Sequence, residues 1–200
     1  MELNLIITGV GGQGNVLASQ IIGTAAVKKG LKTSVGETFG LSQRGGPVMS
    51  HIRISDNKVR GPLIAPNMAD IILGIEPLEC LRIIEEFGNE NTIVISNSRP
   101  IHPINVIAGD VVYPETDKIR QILKETCKTV FWLDATDMAI ELGNPILLNV
   151  IMLGALCGLP KFPVSDVEMI DIISDILPSA KLELNRNAFK KGTSAMLELQ

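Results

Sequence analysis

Residues 3–23 read LNLIITGVGGQGNVLASQIIG, and their order decides the fold. Leu3 to Thr8 is a short apolar run of the kind that forms a buried strand. Beyond the glycines, Leu17, Ile21 and Ala25 recur with Ala18, Ile22 and Ala26 at helical spacing. Between them, Gly9-Val10-Gly11-Gly12-Gln13-Gly14 matches G-x-G-x-x-G after a strand and before a helix, the context that gives the pattern meaning. Glycines there permit positive φ and close backbone approach, and the helix N-terminus offers N–H groups and partial positive charge to a phosphate or carboxylate. The same loop also serves as a plain strand-to-helix turn at a subunit interface, and the local residues leave both readings open.

Working outward, Lys32 to Glu37 is a second strand, so the β-α-β order predicts a crossover and a parallel pair. Glu37, at its end, is placed where an acidic residue would grip a ribose. Thr38 to Pro47, TFGLSQRGGP, reads as an exposed loop. Its Arg44, beside Gly45 and Gly46, can form a charge-assisted fork on a carboxylate or phosphate, or stand as a solvated loop arginine. Val48 to Ile54 alternates Ser50, Ile52 and Ile54 against Met49, His51 and Arg53, which predicts a half-buried, hairpin-like insertion.

Further strands are predicted at Ala69 to Ile75, Thr92 to Ser96 and Thr129 to Leu133. Helices are predicted from Pro77 to a stop at Gly88, from Glu115 to Glu125, and from an Asp134 cap to Gly143. Asn144 and Pro145 open an all-apolar helix through Cys157, which belongs inside the assembly. Ser165 and Glu168 make a capping box for a helix that Pro178 ends. The alternation predicts an α/β fold: a doubly wound, mostly parallel Rossmann-like sheet with helices on both faces and a strand/loop insertion after the second strand. A length of 200 residues is read as one domain, 1–200.

A formal charge of −4 without a long basic stripe gives little drive toward nucleic acid or membrane. Cys80, Cys127 and Cys157 are widely spaced and form no CxxC pair, so they read as buried thiols of a reducing compartment rather than disulfides or metal ligands. Glu2 leads straight into a strand without the basic region or cleavage site of a secretory signal, and the apolar run Ile146 to Leu156 is too short to span a bilayer. The expectation is a cytoplasmic protein.

His51 lacks a spaced carboxylate or nucleophile to cooperate with, so a structural role is favoured over acid–base chemistry. His102, in the IHPI stretch, reads as loop packing. Asn149, in the apolar helix, must find hydrogen-bond partners, either by capping a nearby loop or by touching a ligand. No G-x-S-x-G elbow, HExxH, P-loop lysine or thiamine-type GDG motif occurs, and no catalytic or metal-ligating residue is assigned.

Four stretches in order, LIITGVGGQGNVLASQIIGTAA (5–26), ETFGLSQRGGPVMSHIRIS (37–55), GNPILLNVIMLGAL (143–156) and LNRNAFKKG (184–192), resemble the gamma-type subunit of 2-oxoacid:ferredoxin oxidoreductases. QRGG followed by VMSHIRIS looks most like the small, beta subunit of the indolepyruvate type, with pyruvate, 2-oxoisovalerate and 2-oxoglutarate members as alternatives. The resemblance implies a noncatalytic subunit of a complex that decarboxylates a 2-oxoacid, reduces ferredoxin and forms an acyl-coenzyme A. It places thiamine diphosphate, magnesium and iron–sulfur clusters on a large partner subunit. It also implies that coenzyme A approaches this chain, with Gly9, Gly11, Gly12, Gln13, Gly14, Arg44, Gly45, Gly46 and Asn149 as candidate contacts. An independent NAD-dependent dehydrogenase and a stand-alone nucleotide-binding regulator are the competing expectations, and a homo-oligomer is the alternative state of the isolated chain.

Overall fold

A computed structural model describes residues 1–39, 46–102, 104–178 and 181–200. Six strands form one sheet: β1 (Glu2–Val10), β2 (Lys32–Phe39), β3 (Pro47–Ser55), β4 (Ile71–Gly74), β5 (Ile93–Asn97) and β6 (Thr129–Leu133). The helices are α1 (Asn15–Lys28), α2 (Pro77–Phe87), α3 (Ile104–Ile107), α4 (Thr116–Thr126), α5 (Ala135–Glu141), α6 (Leu148–Cys157), α7 (Asp166–Ile176) and α8 (Leu182–Leu199), with a 3₁₀ turn, Pro145–Leu147, before α6.

The strand order is β2-β3-β1-β4-β5-β6. β1, β4, β5 and β6 pair in parallel, whereas β3 runs antiparallel to both β1 and β2. The sheet is therefore mostly parallel with helices on both faces, as the pattern predicts. The expected β1–β2 pair does not form. The chain leaves α1 into β2, turns back as β3, and β3 takes the place beside β1 through nine residues from Glu2↔Ser55 to Val10↔Pro47. The insertion thus lies within the sheet, between the two strands of the crossover.

This position changes the burial of β3. Ser50, Ile52 and Ile54 are buried as the alternation requires, but His51 on the other face is buried too. Its ring meets Phe87 edge-on, and its Nδ1 accepts the N–H of Ile64. An interior strand covered on both faces loses the half-buried character that its alternation predicts.

Two cores follow from strand parity. Leu5, Ile7, Ile71 and Leu73 pack under α1 and α5 to α8, while Ile6, Ile72 and Val94 pack under α2 and α4. The capping box of α7 forms as read. Asp134 does not cap α5 with its side chain; its carboxylate instead accepts the Ser98 hydroxyl, 2.5 Å away, from the end of β5.

α8 was not among the predicted helices, although its apolar positions Ala188, Phe189, Gly192 and Met196 are spaced for one. Its partner is α6, and glycines set their separation. A Cβ at Gly192 would drive into the carbonyl of Ile151, and one at Gly154 into the carbonyl of Phe189. The Thr193 hydroxyl bonds the Gly154 carbonyl at 3.1 Å across the same crossing. Gly192→Ala is therefore expected to lower unfolding stability by about 3 kcal/mol. Gly61→Ala, where a Cβ meets open space, is expected to change it by about 0.5 kcal/mol or less; urea unfolding of both variants checks the pair.

Candidate functional site

The four parallel strands end on one edge, and the glycine loop closes that edge between β1 and α1. Gly12 and Gly14 carry φ of +104° and +83°, values that glycine adopts without a side-chain clash. Between them, Gln13 folds inward. Its Oε1 accepts the N–H of Val10 at 2.6 Å, and its Nε2 donates to the carbonyl of Ile75 at 3.3 Å. A Cβ at Gly9 would stand 2.6 Å from that Oε1, so the glycine is what admits the amide.

Asn149, in the first turn of α6, donates from Nδ2 to the main-chain carbonyl of Gln13. A Cβ on Gly14 would collide with the same Nδ2. The side chain thus caps the loop, the more modest of the two roles read from the sequence. Its Oδ1 is buried without a donor among the described residues.

The two glycine segments meet. The N–H of Gly11 donates to the carbonyl of Gly46 at 2.8 Å, and Asn15 at the start of α1 donates to the carbonyl of Val48 at 3.3 Å. Gly9, Gly11, Gly12, Gln13, Gly14, Gly46 and Asn149 are therefore gathered at one edge. Arg44 and Gly45 lie outside the described residues.

Beside the loop is a cleft of about 440 Å³. Gly12 to Gly14, Leu17, Ile101, Ile146, Asn149 and Leu153 are among its walls, and most of its surface is apolar. It occupies the crevice beyond the carboxyl ends of parallel strands, where ligands of open α/β sheets bind.

The far wall, residues 99–101, follows β5 and is held by polar side chains that the sequence pattern does not single out. Asn97 Nδ2 donates to the carbonyl of Ile75 at 3.1 Å, while its Oδ1 accepts the N–H of Thr136 at 3.2 Å. Arg99 pairs with Asp137 at 2.8 Å across the exposed rim. Glu76, buried, accepts the N–H of Glu79 with one oxygen and the N–H of Ile101 and the Tyr113 hydroxyl with the other. Burial and then the bond to Glu76 raise the pKa of Tyr113, keeping the phenol protonated. The one signal for Glu76 was its place just before Pro77, where its carboxylate caps α2.

Glu37 does not stand at a ribose site. Its two oxygens accept the hydroxyls of Ser19 and Ser50, each at 2.5 Å. With β3 interposed, β2 is displaced from β1 by a further strand spacing of about 4.8 Å, which removes the adjacency that the dinucleotide reading needs. The thiols are unsuited to nucleophilic work. Burial raises all three, Cys127 to about 11, and Cys80 and Cys157 further. His102 sits on the surface with its ring against Tyr113. The hydroxyl–carboxylate contacts, Ser19 and Ser50 with Glu37, Ser98 with Asp134 and Tyr113 with Glu76, join neighbouring elements of the fold.

Known proteins resemble the chain along nearly its whole length. The model of the pyruvate ferredoxin/flavodoxin oxidoreductase family matches residues 4–195. The chain is 40% identical over 199 residues to indolepyruvate oxidoreductase subunit IorB of Pyrococcus horikoshii, covering 99% of this chain and 98% of that one. It is 31% identical over 182 residues to pyruvate synthase subunit PorC of Methanothermobacter thermautotrophicus, covering 90% and 88%. In fold, it is similar to the keto/oxoacid ferredoxin oxidoreductase gamma subunit of Geobacter sulfurreducens, with a TM-score of 0.70, 23% identity, and coverage of 98% and 99%.

Asn149→Ala is expected to cost about 1 kcal/mol and to speed amide exchange at Gly12 to Gly14, read by hydrogen exchange. His51 supplies a pH test. Burial lowers its folded pKa below 6.5, so the native state binds the proton more weakly than the unfolded chain. The contribution is present above that value and is lost as pH falls through it. Urea unfolding at descending pH should show wild type losing stability below about pH 6.5, with a smaller loss in His51→Gln.

Proposed function

The chain belongs to the pyruvate ferredoxin/flavodoxin oxidoreductase family, and on that premise we propose that it is the small subunit of an indolepyruvate-type 2-oxoacid:ferredoxin oxidoreductase. The observation that carries the choice is the match to subunit IorB, 40% identical along nearly the whole of both chains, against 31% for the pyruvate synthase subunit. The chain acts as one domain, residues 1–200, in the cytoplasm, and is inactive in isolation. No helix among the described residues is long and apolar enough to cross a membrane.

The complex oxidatively decarboxylates an arylpyruvate to an acyl-coenzyme A and reduces ferredoxin. Thiamine diphosphate, magnesium and the iron–sulfur clusters belong to a large partner subunit. The thiols of this chain do not fit a cluster: Cys80 packs with Cys127 under α2 and α4, whereas Cys157 packs against the core on the other face. Among the described residues, no group of three histidine, cysteine or acidic side chains could hold a metal ion.

The role of this chain is to shape the coenzyme A approach. Its cleft lies within the range of about 300 to 1,000 Å³ used for small ligands, with apolar walls for an acyl or pantetheine-like arm. The amides of Gly12 and Gly14 stand at the positive end of α1 for an anionic group. Arg44 belongs to the glycine-rich segment whose downstream residue, Gly46, is bonded to Gly11.

Co-expression with the large partner tests the reading: the two should copurify, and arylpyruvate oxidation should require both. A chain that elutes alone and leaves oxidation unchanged overturns it. In the complex, Arg44→Ala should raise the KM for coenzyme A about tenfold with little change in kcat, and unchanged kinetics would remove Arg44 from the site. Titration with NADH should produce no saturable binding; micromolar binding abolished by Glu37→Ala would favour a dehydrogenase instead.

A further inference from the structure

The sheet ends on β6, whose one neighbour in the strand order is β5. Ser98 donates its N–H to the carbonyl of Leu133 at 2.8 Å, so Leu133 directs its backbone groups toward β5. Strand alternation then turns the N–H and C=O groups of Val130 and Trp132 outward. α4 flanks this edge, burying Ile119 and Leu123 and leaving Arg120 beside the strand.

Arg120 lies over the indole of Trp132, its guanidinium carbon 5.9 Å from the ring centroid. The packing removes Arg120 Nε from solvent, and it has no acceptor among the described residues. Lys124 follows one turn later and Lys128 just beyond the helix; both are exposed, and neither forms an ion pair among the described residues. Lys128 also lines a cleft with Lys161, Glu2 and Asp70. The acidic residues of α4 are Asp117 and Glu125, and Glu125 accepts from Gln121.

We propose that this edge docks an extended, carboxylate-rich segment of the large partner subunit, added as a strand to β6. The inference rests on the subunit reading and goes beyond it by naming the surface. Two observations point to one occupant. The outward groups of Val130 and Trp132 call for another backbone. The stripe Arg120, Lys124 and Lys128 is basic on a chain of net charge −4, which selects an acidic partner and speeds its encounter. Tryptophan and arginine are also the side chains on which binding energy concentrates. A second copy of the chain fits less well, because twofold pairing of β6 edges would set the basic stripe against itself.

The test uses the full chain and the co-expressed large subunit, with Kd measured at low and high salt. Lys124→Glu/Lys128→Glu, both at exposed positions, should raise Kd about tenfold or more at low salt, and the difference should shrink as salt screens the charges. Far-UV circular dichroism should match wild type. A double variant that binds with the wild-type Kd overturns the docking surface and leaves the subunit reading intact. Failure of the wild-type chain to bind the large subunit overturns both. A self-association altered by the double variant, with partner binding unchanged, would assign the edge to a second copy and overturn the proposal.

Discussion

The carbonyl of Ile75, just past the end of β4, is the point on which the site depends. Its residue donates an N–H to the carbonyl of Thr8 in β1 at 2.8 Å, and its carbonyl receives Nε2 of Gln13 and Nδ2 of Asn97. One backbone group therefore joins the glycine loop after β1 to the cleft wall after β5. Asn149 extends the stitching to α6 through the carbonyl of Gln13. Each such bond contributes only about 1 kcal/mol net, but leaving a buried partner unpaired costs about 1 to 3 kcal/mol. That asymmetry fixes where the loop can sit and keeps the cleft open beside it.

The amide brace explains why the loop differs from a dinucleotide cradle despite its fingerprint. Gln13 occupies the space behind Gly9, and β3 occupies the place beside β1 that a second parallel strand would hold. The acidic residue of β2 is then bound to two serines, not presented to a sugar. A glycine pattern thus reports a strand, a turn and a helix start reliably, while the neighbouring strand decides what the turn can serve.

The α6–α8 crossing and the β6 edge are held by different means. The α6–α8 crossing relies on glycine backbones in close approach, whereas β6 has β5 as its one neighbour in the strand order and carries Arg120 over the indole of Trp132.

By itself, the sequence determined the strand–loop–helix start and the order of elements as far as α7, because those depend on local apolar periodicity and on backbone freedom at single positions. It also placed Asn149 as an amide in need of partners, since polarity within an apolar helix is legible one residue at a time. Only the tertiary structure decided that β3 lies between β1 and β2, that Gln13 turns inward, and that Glu76 and Asn97 hold the far wall. Strand pairing and buried hydrogen bonds join residues tens of positions apart, such as Gln13 with Ile75 and Glu76 with Tyr113. No local pattern encodes which distant carbonyl or carboxylate a side chain will find.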